Sequence, residues 1–362
     1  MRLKKDLILA ATRKGLLIFS RGITGWEFCG DHFVGARVSY ACSDQRSGRI
    51  WACLDHGHWG NKLHFSNDSG ENWTEIPTPA YPEGEEIKEG LEANLKYLWV
   101  LQPGHSSEPE KILIGTIPGG LFVSKDNGSN FELNRGLWDH PSRKTQWFGG
   151  GFDHPGIHSI IIDQKNPSRM FAGISCAGVF ETTDNGKSWV PRNKGLNADF
   201  LPDPASEIGQ DPHIVVAFQG DCNFMWQQNH CGIFRTTDGG NSWKDVSDKA
   251  SGAYFGFAIA VDDRDAETAW VVPATADQNR TAIGGKLMVH MTKDGGKSWR
   301  AFSKGLPQRN CYDFIFRHCI DNHRDTLAMG TSGGSIYVSE NRGESWESLG
   351  FHFPQVYSVR LA

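Results

Sequence analysis

Ser66-Asn67-Asp68-Ser69-Gly70-Glu71-Asn72-Trp73 decides the fold of this 362-residue chain, because it recurs along the whole length. Close copies run from Thr182 to Trp189, Thr236 to Trp243 and Thr292 to Trp299. Altered copies run from Ser124 to Phe131, with Phe for Trp, and from Ser339 to Trp346, with Asn341 for Asp. A seventh, from Ser20 to Trp26, lacks the Asp and one residue. The copies begin 46 to 58 residues apart. A period of this size marks stacked or radially arranged supersecondary units.

Each copy sits between two β-rich runs. Lys111-Ile112-Leu113-Ile114-Gly115 and Leu121-Phe122-Val123 precede the copy at Ser124. Ser159-Ile160-Ile161-Ile162 and Ile214-Val215-Val216-Ala217-Phe218 open other units. Short runs bounded by Gly, Asn, Asp and Ser read as strands joined by tight turns. Four strands per unit follow, with the repeated stretch as the turn between the third and fourth. Its Asp accepts backbone N–H groups, its Gly tolerates positive φ, and its Trp packs over the neighbouring sheet.

Seven four-stranded units predict an all-β, seven-bladed β-propeller in a single domain, 1–362. The blades fall at 355–361 plus 6–29, then 37–77, 97–133, 157–192, 213–247, 254–303 and 311–349. The first unit lacks an innermost strand, while Gln355-Val356-Tyr357-Ser358-Val359-Arg360-Leu361 is surplus after the last copy. The C-terminal run is therefore expected to complete the first blade and close the ring.

A formal charge of -5 and no basic run give no reason to expect nucleic acid or an anionic membrane as partner. The start, Met1 to Ala10, has no apolar core of leader length before Thr12 and Arg13. The eight cysteines form no close CxxC pair and read as reduced thiols. A soluble cytoplasmic protein is the expectation.

Ser/Thr-x-Asp-x-Gly-x-x-Trp resembles the Asp-box of the BNR-repeat propellers, over the whole chain. The resemblance is strongest to single-domain bacterial BNR-repeat glycosyl-hydrolase-like proteins of the sialidase superfamily. It implies a propeller whose Asp-box turns lie opposite a binding funnel. It also implies either a hydrolase or lyase on a small polar or carbohydrate ligand, or a scaffold or assembly factor that binds a protein there. Sialidases carry six blades, Phe-Arg-Ile-Pro and an arginine triad. This chain has Ala11-Thr12-Arg13-Lys14-Gly15 in the corresponding early segment and no triad that can be placed.

The funnel is built from loops between second and third strands and from loops entering each innermost strand. Four are long: 77–96, 134–157, 193–212 and 274–284. Their Trp138, Trp147, Phe148, Phe152, Phe200 and Leu201 suggest lids. The acidic run Glu83 to Glu92 reads as a solvated helical face. Blade two breaks the repeat with His56-Gly57-His58-Trp59, and blade five with Trp226-Gln227-Gln228-Asn229-His230-Cys231. Such departures tend to mark function.

These positions give the candidate site. His158, His213 and His230, with Asp153 or Asp211 as acid/base partner, form the catalytic set. His58, Trp59, Trp147, Gln227, Gln228 and Asn229 form the ligand-binding set. Two carboxylates about 5–10 Å apart would suit glycosidic hydrolysis, and Asp153 with Asp211 is the best-placed pair. His158, His213, His230 and Cys231 suit a divalent metal such as zinc.

Overall fold

The chain was analysed as a computed structural model describing residues 6–350 and 352–362. The charged start, 1–5, lies outside the described residues.

Seven four-stranded antiparallel sheets stand around a ring. Neighbouring innermost strands, such as Arg37–Asp44 beside Tyr97–Pro103 and Pro212–Ala217 beside Gly256–Val261, pack against one another. Each blade runs from its axial strand outward, as in Ile157–Ile162, Met170–Ile174, Gly178–Thr182 and Val190–Pro191. The axial strands of blades three to six are apolar on both faces because each is covered by a neighbouring blade on either side. Ile160, Val215, Ile259 and Leu101 are all buried.

The first blade holds Trp26–His32, Gly15–Arg21, Leu7–Thr12 and, innermost, Val356–Leu361. The pairing runs Ile8 with Leu361, Ala10 with Val359 and Thr12 with Val356, so the C-terminal strand closes the ring. Val356 and Val359 are fully buried there.

The repeated turn is held by a common set of hydrogen bonds. In the fourth blade Asp184 Oδ1 accepts the Ser188 N–H at 2.9 Å, and Oδ2 accepts the Ser188 hydroxyl at 2.6 Å. Thr182 Oγ1 donates to Asp184 at 2.8 Å and accepts the Gly186 N–H at 2.9 Å. Gly186 has φ 84°, which explains the Gly. Asn341 makes the same backbone contact in blade seven, accepting the Ser345 N–H at 2.9 Å. Three of the Trp indoles reach the preceding blade: Trp189 to Asn134, Trp243 to the Arg192 carbonyl and Trp299 to the Val246 carbonyl. The repeat thus clamps blades together as well as turning the chain.

These contacts set an acid dependence. Hydrogen bonds from Asn72, both backbone and side chain, bring Asp68 down to about 2. Asn130 and Ser188 do the same for Asp126 and Asp184, also to about 2. A carboxyl depressed on folding contributes stability above its ordinary value of 3.8, and that contribution is lost as pH falls through about 2. Replacing Asp68, Asp126 and Asp184 with Asn, as blade seven already does, should flatten the fall in melting temperature between pH 4 and pH 2. An unchanged pH profile would place the acid sensitivity elsewhere.

One expectation fails here. The run Glu83–Glu92 is not a helix but a β-hairpin, Glu86–Lys88 with Leu91–Glu92. Gly84 and Gly90, at φ 80° and 74°, break any helical path, and Ile87 is buried beneath the hairpin. Glu85 accepts hydrogen bonds from Arg135 and the Trp138 indole. Trp138 and Trp147 are core residues of the long loops rather than open lids, at 1% and 2% exposure. Trp147 packs on Phe180 and donates to Ser142.

Candidate functional site

The axial strands share an irregularity near their starts. Pairing with the second strand slips at Ser39, Trp99, His158 and His213 in blades two to five. It slips at Phe257 and Ala258 in blade six, and at Tyr357 in the C-terminal strand. A β-bulge leaves one residue outside the ladder and re-aims its side chain. Here the bulges gather aromatic and imidazole rings at the end of the channel opposite the repeated turns. Trp99 meets His158 edge-on at 5.5 Å, and His213 stacks on Phe257 at 4.4 Å. Phe257 continues through Phe314 and Phe316 to Tyr357.

At the other end the channel is wide. A cavity of about 1080 Å³ reaches from His158, His318, Tyr40 and Arg360 to the turns carrying Arg46, Gln164, Gln219 and Arg324. In an antiparallel four-stranded blade those turns share an end with the repeated turns.

Asp211, His213 and His230 form a cluster at the ring end, with one ligand atom of each within 4.8 Å of the others. Asp211 Oδ2 lies 3.6 Å from both His213 Nε2 and His230 Nδ1. Its Oδ1 accepts the Ser175 hydroxyl at 3.1 Å and the Cys176 N–H at 3.0 Å. The His230 main-chain N–H donates to the Asp211 carbonyl at 3.0 Å, joining the entry of blade five's first strand to its second-to-third-strand turn. Asp211 and His213 are buried, whereas the His230 side chain is 29% exposed. Burial would raise Asp211, but His213, Arg317 and His230 outweigh it and hold the carboxyl well below the usual range. Burial pushes His213 down despite its contact with Asp211.

Arg317 enters from the last blade. Its guanidinium carbon sits 5.1 Å from the Trp99 ring centre and 5.6 Å from that of Phe257. Its Nε is buried and, among the described residues, has no hydrogen-bond partner. Asp211 exerts the largest opposing charge on it, yet the two form no ion pair. A buried N–H without a partner costs free energy unless something else meets it.

The other candidate residues fall in several places. His158 is fully buried, bonded through Nδ1 to Ser159 at 2.9 Å, with Nε2 unpartnered. Asp153 is exposed on its loop and does not join the cluster. Gln228 donates to the Gly232 and Tyr254 carbonyls, and Asn229 donates to Gln227 Oε1. All three side chains are buried, with Gln227 Nε2 left unpartnered. Cys231 Sγ contacts Asp199 at 3.3 Å, and burial pushes its thiol up to about 12, far from thiolate character at neutral pH. His58 and Trp59 meet each other edge-on in blade two, with Trp59 71% exposed. Of the long-loop aromatics, Phe152 and Phe200 are exposed at the rim, Phe152 against Trp99 and Phe200 against His230.

Arg317 and His318 were not singled out in the sequence. Phe316-Arg317-His318 lies just ahead of blade seven's first strand, Ile320–His323, much as Asp211-Pro212-His213 leads into that of blade five. The same blade-by-blade comparison extended to the seventh unit raises both.

No family model matches the chain. It is 25% identical over 274 residues to the oligoxyloglucan-reducing end-specific xyloglucanase of Emericella nidulans, covering 68% of this chain and 31% of that protein. A probable enzyme of the same name from Neosartorya fischeri is 22% identical over 269 residues, covering 66% and 30%. The chain therefore spans about a third of the length of the curated relatives it matches. The GH74 enzyme of Niastella koreensis superposes with TM-score 0.63 at 13% identity, over 95% of this chain and 52% of that one. YCF48 from Cyanidioschyzon merolae superposes with TM-score 0.57 at 16% identity, over 93% and 96%. The chain is a seven-bladed β-propeller that resembles glycosyl hydrolases, similar in sequence to xyloglucanases and in fold to the GH74 enzymes.

Proposed function

We propose that this Asp-box propeller cleaves a glycosidic bond in an acidic carbohydrate held over the ring of bulge residues. The carrying observation is Arg317, half-buried with its Nε buried and unpartnered and with no ion-pair partner among the described residues, set between two aromatic faces beside Asp211, His213 and His230. A carboxylate on the ligand supplies the charge that Arg317 lacks, in the bidentate form that guanidinium favours. Phe152 and Phe200 at the rim offer surface to sugar rings. The similarity to xyloglucanases supports a carbohydrate ligand.

The chemistry that fits best is elimination rather than two-carboxylate hydrolysis. Asp211 stays ionised, so it does not serve as the acid, and Asp153 stands outside the cluster. Arg317 would neutralise the sugar carboxylate and so acidify the adjacent C–H. The cluster takes that proton through His230, the member that solvent reaches. The C–H electron pair becomes a double bond, and the glycosidic oxygen departs with its bonding pair and takes a proton from solvent water, while the abstracted proton stays on His230. The alternative, a scaffold for a protein partner, calls for a flat apolar face, whereas here the charged groups are recessed below the rim.

Calorimetric titration with uronate-containing and neutral xyloglucan oligosaccharides tests the reading. Acidic sugars should bind, and Arg317→Gln should weaken them by about 100-fold or more, as expected for truncating a buried charge pair. Equal binding of neutral sugars, indifferent to Arg317, would overturn it.

A further inference from the structure

We infer that Asp211, His213 and His230 form a binding site for a divalent transition-metal cation, with open positions toward the funnel. The case rests on which atoms are already committed. His213 Nδ1 lies 2.6 Å from the Gly256 carbonyl. A carbonyl only accepts, so Nδ1 carries the hydrogen and a neutral ring presents the Nε2 lone pair to Asp211. Two electron-rich atoms, Nε2 and Oδ2, then face each other across 3.6 Å. That contact becomes attractive once a positive centre lies between them, either a proton that makes the ring an imidazolium or a bound cation. Asp211 repeats the pattern: Oδ1 is taken by Ser175 and Cys176, leaving Oδ2 free toward both rings.

The spacing suits a metal better than a hydrogen bond. Oδ2 stands 3.6 Å from each imidazole nitrogen, beyond the usual hydrogen-bond range. Bonds of about 2.0–2.2 Å at tetrahedral angles put neighbouring ligand atoms about 3.4 Å apart, close to the two 3.6 Å separations from Oδ2, while the two ring nitrogens lie within 4.8 Å of each other and close further on a shared cation. Ligating histidines characteristically donate their other N–H to a carbonyl, and ligating carboxylates are themselves hydrogen-bonded. Both features are built in, from Gly256 and from Ser175 with Cys176. Two imidazoles and one carboxylate select a borderline divalent ion such as zinc or cobalt over calcium or magnesium. Three protein ligands on one side leave positions for water or ligand oxygen on the His230 side.

The site stands without the carbohydrate reading. The two join only in one consequence: with a cation bound, His230 is a ligand, and proton transfer passes to metal-bound water.

The test uses the full chain, stripped with a chelator and titrated with zinc or cobalt chloride in the absence of any sugar. One equivalent should bind, and cobalt should give the visible bands of a low-symmetry site. His230→Ala, at the solvent-reached edge, should weaken binding at least 100-fold while the melting temperature of the stripped protein stays unchanged. Ser175→Ala, removing a bond to Asp211 without touching a ligand atom, should weaken it about 10-fold. If the stripped wild type takes up no stoichiometric cation, the inference is wrong. Undiminished binding by His230→Ala would overturn it equally. Metal uptake with no sugar binding would leave this inference standing and remove the carbohydrate proposal.

Discussion

A chain ending at residue 352 should fail to form a cooperative native state at 25 °C. The missing strand, Val356–Leu361, pairs with Leu7–Thr12 over most of its length and is the inner wall of the first blade. It also bridges to the last blade, where the Val359 N–H donates to the His318 carbonyl and Cys319 Sγ contacts the Val356 carbonyl. Gly330 shows how close the approach is: a Cβ there would lie 2.5 Å from Val356. Burial of Val356 and Val359 alone is worth about 1.5–3 kcal/mol each. Loss of the ladder adds about 1 kcal/mol for each hydrogen bond and leaves the Leu7–Thr12 edge unpaired in a hydrophobic setting. Together these rival the whole stability of an ordinary domain, about 5–15 kcal/mol. A synthetic peptide of residues 353–362 added in excess should restore a cooperative melt. A truncated chain that melts like the full one would show that the ring does not depend on this closure.

Arg317→Met should leave the melting temperature nearly unchanged while abolishing binding of an acidic sugar. In the free protein the half-buried guanidinium lies against Trp99 and Phe257 with its buried Nε unsatisfied. Exchanging a buried ionic group for an apolar side chain of similar length is often neutral or stabilising, by about 1–4 kcal/mol. Loss of two cation–π contacts, each about 0.5–2 kcal/mol, works against that gain. The two ranges cancel, so we expect a net change in stability near zero. A destabilised Arg317→Met would instead make Arg317 a structural clamp between blades three, six and seven. Differential scanning calorimetry alongside ligand titration separates the two.

The scaffold was largely written in the repeated turn. Its spacing set the strand count, and the Asp, Gly and Trp each have the local reason expected of them. Closure was legible because one strand was missing at the start and one was spare at the end. Where reading by period failed, a short-range signal was misleading. Glu83–Glu92 is acidic enough to look like a helix face, but Gly84 and Gly90 turn it into a hairpin around buried Ile87. Trp138 and Trp147 looked like lids because loops are usually exposed, yet these loops are long enough to bury their own indoles.

The site was half legible, for a physical reason. Asp211, His213 and His230 stand out as polar intrusions in an apolar repeat. Gln227, Gln228 and Asn229 stand out equally, but the Gln228 and Asn229 amides are spent on backbone carbonyls and on Gln227 Oε1, and only Gln227 Nε2 is left unpartnered. Residue type cannot separate a satisfied buried amide from an available one. Bulges are equally invisible: one extra residue in a strand changes no composition, yet it carries Trp99, His158, His213 and Tyr357 into the ring. Arg317 depends on three blades at once, a relation that no spacing within the seventh unit expresses.

The central claim is that the functional centre lies at the bulge-residue end of the channel rather than in the wide cavity at its other mouth. A crystal structure with a uronate-containing oligosaccharide tests it most directly. The account predicts the sugar carboxylate against Arg317, with the ring near Asp211 and His230. A sugar lodged among Arg46, Gln164, Gln219 and Arg324, with Arg317 untouched, would contradict it.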